Sequence, residues 1–238
     1  MSPVIATRGL QFQYEDGTVA LAGVDFELFP GETVALFGGN GSGKTTFVLH
    51  LNGLLEGRGE IEICGLPVRK DTLKQVRQKI GIVFQDPDDQ LFMPTVLEDV
   101  AFGPLNLGAP ADVAIARARA ALGQVGMPES ENKAPYHLSA GGKKRVAIAG
   151  VLAMDPEVLV LDEPTTFLDP PGQSALIALL QELPQSKLIV THDVEFARSL
   201  ASRAVFFAKG RIAGSGPTDQ IIEQFHWDIR VDPLYSSR

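Results

Sequence analysis

The stretch of this chain richest in chemistry is GGNGSGKTT, residues 38–46. It fits the pattern G-x-x-x-x-G-K-[ST] and follows a short apolar run, Thr33–Phe37. After it, Phe47–Leu55 has helical spacing. Such a loop must turn successive backbone N–H groups onto phosphate oxygens. Gly38, Gly39, Gly41 and Gly43 permit that curvature and the close approach of an anion, with Asn40 and Ser42 between them. A helix starting near Lys44 would aim its N-terminus at the same anion. Lys44 offers a point charge toward β- and γ-phosphates, Thr45 a hydroxyl for Mg²⁺, and Thr46 closes the loop. The second centre is VLVLDEP, where a buried strand ends in Asp162 and Glu163. Asp162 would hold Mg²⁺ through its water shell. Glu163 would accept a proton from an attacking water, a role worth about 10²–10⁴-fold in rate. Both centres imply a nucleotide and magnesium. Neither implies a task, since kinases, GTPases and motors share them.

The elements that must position these residues are legible as alternating patterns. Leu10, Phe12 and Tyr14 alternate with polar residues, as do Val24, Phe26 and Leu28, with the turn signal Asp16-Gly17 between. EIEIC (60–64) alternates too, and IGIVF (80–84) is an apolar run suited to a buried strand. From Thr95 to Met154 apolar spacing is three to four, which predicts a helical insert. Short buried strands return at VLVLD, LIVT (188–191) and AVFFA (204–208). A helix pattern over Gly172–Leu183 separates the first two and ends near Pro184. Strand–helix–strand alternation predicts an α/β fold with a mainly parallel sheet covered on both faces. One compact domain over 1–238 is expected, with the helical insert at about 95–154 and a short tail at about 226–238.

Composition excludes several classes. The 238 residues carry 21 basic and 29 acidic side chains, a net charge of −8, so bulk attraction to nucleic acid or lipid is not expected. The single cysteine, Cys64, excludes an internal disulfide framework and an all-cysteine metal site. The longest apolar stretch, Val146 to Met154, is far short of the ~20 residues that span a bilayer. The N-terminus lacks a charged segment followed by a long apolar core, so the expectation is a soluble, cytoplasmic protein.

LSAGGKKRVAIA, from Leu138, resembles the LSGGQ signature of ATP-binding-cassette (ABC) ATPases. Other family elements fall in order: Tyr14 for the aromatic on adenine, Gln85 for the Q-loop, Leu168-Asp169 for the D-loop, and His192 in VTHD for the switch histidine. The resemblance implies a P-loop NTPase fold of the ABC nucleotide-binding type. Its parts would be a mainly parallel core sheet, an antiparallel β subdomain and a helical subdomain. It implies two ATPase subunits closed head to tail around two ATP molecules. Ser139 and Gly141 would reach the partner's γ-phosphate, His192 would contact its own, and Asp169 would link the sites. Gln85, with Thr45 and Asp162, would serve Mg²⁺.

VFQDPDDQLFMPTVLEDVAFGPLNLG (83–108) is similar to the ATPase subunits of energy-coupling factor (ECF) importers, with the cobalt/nickel branch the nearest match. That implies a peripheral protein on the cytoplasmic membrane face. Its partners would be a transmembrane coupling component and a substrate-binding membrane component. Cobalt is the expected cargo; nickel or a vitamin is the alternative. A soluble ABC-type switch is a rival, although the span from Gln85 to Ser139 is too short for a coiled-coil insertion. A small-molecule P-loop kinase would need no signature, D-loop or switch histidine.

Some residues carry two readings. Ala140 and Gly142 replace a glycine and a glutamine of the signature. Alanine would cost about 1 kcal/mol if position 140 needs a positive φ, and nothing otherwise. Phe167 stands where small residues are frequent. Altered contacts across the dimer, without loss of activity, are expected. Tyr14 could pack on its strand and His192 in the core. Asp86, Asp88 and Asp89 read as a solvated loop in preference to a cargo-metal site, since cobalt and nickel favour imidazole. His50, His137, His192 and His226 show no ligand spacing. Lys70, Lys74, Arg77 and Lys79 read as a solvated helix face, and Cys64 as a small buried residue. Trp227 and Tyr235 give no functional signal.

Overall fold

The computed structural model describes residues 1–228. Two sheets organise the chain. The smaller is built from β1 (Ile5–Gln13), β2 (Val19–Leu28), β4 (Arg58–Ile63) and β5 (Leu66–Pro67), in the order β2-β1-β4-β5, with antiparallel pairing throughout. The larger holds β3 (Thr33–Gly38), β6 (Ile80–Val83), β7 (Val158–Asp162), β8 (Ser186–Val190), β9 (Arg203–Ala208) and β10 (Arg211–Pro217). Its order is β10-β9-β3-β8-β7-β6. All its pairs are parallel except β9–β10. The expected mainly parallel sheet and separate antiparallel sheet are both present.

The parallel strands read as continuous apolar runs because both faces are covered. Val34, Leu36, Val158, Val160, Leu188 and Val190 point one way, into a core shared with the antiparallel sheet and α1 (Lys44–Leu51). Leu159, Leu161 and Ile189 point the other way, toward the helical side of the molecule. That side contains α3 (Val96–Asn106), α4 (Ala111–Gln124), α5 (Ala140–Leu152) and α6 (Pro170–Glu182). Ala35 and Phe37 meet α7 (Val194–Leu200) and α8 (Thr218–Gln224), and Trp227 packs on Phe37 and Phe206. Trp227 is therefore a core anchor, while Tyr235 lies outside the described residues. The short helix α2 (Leu73–Lys79) leads into β6.

Several helix starts carry side-chain caps. Thr95 and Glu98 form a reciprocal capping box at α3, and Ser139, Asp169 and Asp193 cap α5, α6 and α7. The helix expected over Phe47–Leu55 ends at Leu51, because Asn52 and Gly53 turn the chain. Gly53 adopts φ +66, which returns the chain toward β4. The helix expected from Gly172 starts at Pro170, a residue suited to a first turn. Cys64 departs from expectation. It is half-buried at φ +49 in the β4–β5 turn, where burial pushes its thiol up to about 12. The basic stretch is partly tied down: Arg77 donates to the Asn52 carbonyl, and Lys79 pairs with Glu157 at 2.6 Å.

Candidate functional site

Helix α1 differs from the capped helices. Its N-cap is Gly43, at φ +108, and no side chain caps it. The first N–H groups of a helix have no partner within it, so here they remain directed at the loop 38–43. A Cβ at Gly43 would collide with the Ala20 carbonyl oxygen, and one at Gly38 (φ +144) with the Phe207 carbonyl oxygen. Both glycines are required by close backbone approach as well as by dihedral angle. Inside the loop, the Ser42 hydroxyl is buried without a partner. A buried unpaired hydroxyl costs ~1–3 kcal/mol, and an anion seated in the loop would satisfy it.

The acids of β7 meet this loop from the neighbouring part of the sheet. Thr45 Oγ1 lies 3.4 Å from Asp162 Oδ2. Burial and the neighbouring Glu163 carboxylate push the Asp162 carboxyl up, opposed by the Thr45 hydrogen bond and by Lys44 and Lys144. The Lys44 ammonium donates to the carbonyls of Gly38 (2.6 Å) and Gly39 (3.1 Å). Burial lowers its pKa, and Glu163 and Asp162 oppose that shift. A hydroxyl and a carboxylate converging beside an ammonium form a donor set for a hard cation with phosphate ligands. Among the described residues, no cluster of three or more His, Cys, Asp or Glu could hold a metal alone. Mg²⁺ needs no such cage, since it keeps waters and takes phosphate oxygens.

Glu163 adopts φ +43, costly for a non-glycine residue, and its N–H donates to the Val190 carbonyl at 2.8 Å. Its Oε2 lies 2.8 Å from His192 Nδ1 and accepts from the His192 N–H at 3.3 Å. The His192 side chain is 71% exposed, so it is not a core histidine. Tyr14 stands at the end of β1, 41% exposed, with its hydroxyl 3.0 Å from Thr46 Oγ1. Its ring meets Phe12 edge-on at 5.0 Å, so it belongs partly to the strand and partly to the loop. Gln85 follows β6, and its carbonyl accepts from Lys144.

Ser139, Gly141 and Asp169 lie elsewhere. With Phe167, Leu168 and Gly172 they line a separate depression of about 1030 Å³. Among the described residues, no hydrogen bond joins them to loop 38–46. The chain thus carries two distinct constellations. Ala140 is the first residue of α5, outside the positive-φ region, so it carries no strain there. The Ser139 hydroxyl accepts from the Gly142 N–H at 3.2 Å, a bond indifferent to the residue at 140. Phe167 does sit in left-handed backbone, at φ +66 and 68% exposed.

The acidic loop is structural. Asp86 accepts from the Asp88 N–H, and Asp88 pairs with Lys143 at 2.7 Å. Sequence reasoning missed two features here. Lys144 is buried, and a lysine in the run KKR gives no sign of that. A groove of about 540 Å³ opens between the sheet and the helices, walled by Phe92, Phe102 and Leu107 with Lys74, Arg77 and Asp99. Its aromatic pair joins Phe92, in the loop before α3, to Phe102 on α3, with the rings edge-on at 4.9 Å.

The model of the ABC transporter domain matches residues 21–166. The chain is an ABC transporter ATPase of the energy-coupling-factor type. The energy-coupling factor transporter ATP-binding protein EcfA of Methanocaldococcus jannaschii is 48% identical, over 92% of this chain and 80% of that protein. A putative ABC transporter ATP-binding protein of Streptomyces avermitilis is 52% identical, over 93% of this chain and 85% of its own length. Among solved structures, cbiO1 of Clostridium perfringens, part of the ABC transporter complex cbiONQ, superposes with a TM-score of 0.84 at 38% identity. It covers 94% of this chain and 92% of its own. A dimeric ATP-binding cassette in a post-hydrolysis state, bound to ADP and Pi, superposes with a TM-score of 0.80 at 28% identity, covering 90% and 98%. This ABC ATPase therefore binds ATP on the fold expected for it. Among its described residues, no helix is long and apolar enough to cross a membrane.

Proposed function

We propose that this ABC ATPase, a single domain over 1–238, powers uptake of cobalt ions as the ATP-hydrolysing subunit of an ECF-type importer. The observation that carries the reading is the split between the two constellations. Loop 38–46, Asp162, Glu163 and His192 gather at one place, while Ser139, Gly141 and Asp169 line a depression of their own. Each half-site lacks what the other supplies, so two chains closing head to tail would build two whole sites.

Within a site, the α1 N-terminus, the loop N–H groups and Lys44 would bind the phosphates. Tyr14 would stack on adenine while Thr46 fixes its hydroxyl. Thr45, Asp162 and Gln85 would hold Mg²⁺, which supplies charge neutralisation on the phosphate oxygens when bound. Glu163 would take the proton from the attacking water. His192 fixes that carboxylate and would reach the γ-phosphate. Ser139 and Gly141 of the second subunit would complete the cradle with a helix N-terminus, and Asp169 would link the two sites. Loss of the bridging phosphate would release the pair.

The groove beside the site would receive the transmembrane coupling component, with the substrate-binding membrane component beyond it. The ATPase would then lie on the cytoplasmic membrane face. Exposed Phe92 sits on this groove with Phe102, and burial of such rings contributes ~1.5–3 kcal/mol each. Cobalt as cargo rests on the resemblance of residues 83–108 to the cobalt/nickel branch and on the superposition with cbiO1.

The test has two readouts. ATPase activity of the isolated protein should rise more steeply than linearly with protein concentration. Strict linearity down to low concentration would overturn the composite sites. Uptake by cells relying on this subunit should accumulate Co²⁺ and stop with Lys44→Ala. Accumulation of nickel or a vitamin instead would overturn the cargo, and retention of the protein in the soluble fraction would favour a soluble switch.

A further inference from the structure

Two consecutive lysines in the first half of α5 grip one loop. Lys143 Nζ lies 2.7 and 2.9 Å from the two carboxylate oxygens of Asp88. Lys144 is 1% exposed, and its ammonium donates to the carbonyls of Gln85 at 2.7 Å and Phe84 at 3.3 Å. Gln90 holds the same segment from the other side. Its Oε1 accepts from the Phe84 N–H at 2.9 Å, and its Nε2 donates to the Ile82 carbonyl at 3.0 Å. The backbone carrying Gln85 is thereby fixed from two directions, and among the described residues Lys144 makes the side-chain bond to the Gln85 peptide.

Burying an ammonium costs several kcal/mol unless its donors are met. An apolar side chain of similar length would fill the volume without that penalty. The charge therefore contributes something other than the stability of α5, and what it holds is two carbonyls of the loop carrying Gln85. Helix α5 is capped by Ser139. Lys144 thus joins on one rigid element a residue of the signature depression and the loop that serves the chain's own phosphate site.

We propose that Lys144 is a positioning residue for ATP hydrolysis: its ammonium clamps the Gln85 peptide to the signature helix, so that the Gln85 side chain and Ser139 keep one fixed relation. This rests on the roles given above to Gln85 and Ser139.

Lys144→Met, Lys144→Arg and Lys187→Met test it. Lys187 is a matched control, buried at 5% exposure and donating to the carbonyls of Leu183 and Gln185, at the end of β8 opposite Val190. The readouts are kcat, the Mg²⁺ concentration for half-maximal turnover, ATP affinity in EDTA, and amide exchange of residues 84–90. With Lys144→Met, kcat should fall at least tenfold and the Mg²⁺ requirement rise at least threefold. Exchange over 84–90 should quicken, while ATP affinity in EDTA stays within twofold. Lys144→Arg should recover at least half the turnover, and serves also if the methionine variant does not fold. Lys187→Met should lower the melting temperature without moving the Mg²⁺ requirement or the exchange. Lys144→Met within twofold of the unaltered chain in kcat and Mg²⁺ requirement would overturn the clamp, as would Lys187→Met reproducing the whole pattern. Gln85→Ala separates the layers. Slowed turnover there with a silent Lys144→Met sinks the clamp alone, while unchanged turnover with Gln85→Ala overturns the role of Gln85 itself.

Discussion

Replacing Glu163 by glutamine isolates chemistry from binding. Glutamine has the same shape and keeps an oxygen to accept from the His192 N–H, so the two-point hold on residue 163 survives in part. What disappears is the capacity to take a proton from water. General-base assistance contributes about 10²–10⁴-fold, or roughly 3–5 kcal/mol of barrier. The cost to the fold is small because two effects oppose. A charge-assisted bond to His192 becomes a neutral one, at about 1 kcal/mol. The Glu163 charge, which pushes the Asp162 carboxyl up, is removed at the same time. The melting temperature should therefore stay within ~4 °C, given ~2–4 °C per kcal/mol for a chain of this size. Single-turnover hydrolysis of radiolabelled ATP measures the chemical step. Equilibrium nucleotide binding and sedimentation velocity measure the rest. Expected are turnover reduced at least a hundredfold, unchanged ATP affinity, and a dimer that accumulates with ATP. Turnover within threefold of the unaltered chain would refute Glu163 as the base. A tenfold loss of affinity with a normal chemical step would show that the carboxylate acts in binding.

Lys44→Ala should weaken ATP binding at least tenfold, since a hydrogen bond to a charged group contributes ~1.5–3 kcal/mol; nucleotide titration checks it, and unchanged affinity removes Lys44 from the phosphate site. Gly43→Ala places a methyl against the Ala20 carbonyl at φ +108, so thermal melts should show at least ~2 kcal/mol of destabilisation together with weaker nucleotide binding. Ala140→Gly should leave ATPase activity within twofold and lower stability by no more than ~1 kcal/mol, because position 140 opens a helix without strain. Burial pushes the Glu32 carboxyl up, but Arg203, bonded at 2.6 and 2.9 Å, and the Phe29 amide outweigh it, so the net shift is downward. The folded state then holds this proton less tightly than the unfolded chain. The stability Glu32 contributes is complete above the ordinary carboxylate range and is lost as pH falls through the folded pKa. Glu32→Gln should cost ~1–2 kcal/mol at pH 7 and flatten the acid limb of stability against pH, measured by denaturant titration.

The phosphate loop, the strand-end acids and the sheet were legible because their signals are local. A glycine-rich loop ending in a lysine, or four apolar residues followed by Asp162, announces itself within one short window. The alternation of short buried strands with helices gave the parallel sheet for the same reason. Burial in three dimensions was not legible. Cys64 reads as a small buried residue and lies half-buried, at φ +49 in the turn between β4 and β5, because burial there is set by how the two strands pack and not by residue type. Lys144 reads as surface and is buried, because its partners are carbonyls, which every residue has and no sequence pattern marks. The aromatic groove likewise depends on Phe92 and Phe102 meeting across a loop and a helix.

The sequence by itself therefore determined the chemistry: which groups bind phosphate, which acids stand near it, and which family the order of motifs belongs to. Tertiary structure decided the relations among them. It tied His192 to Glu163, held Gln85 from α5, left position 140 free of strain and kept Ser139 and Asp169 apart from loop 38–46. The physical reason is range. Backbone curvature and strand burial are set by neighbours in the chain, whereas a contact between residues far apart in sequence exists only after the sheet and helices have packed.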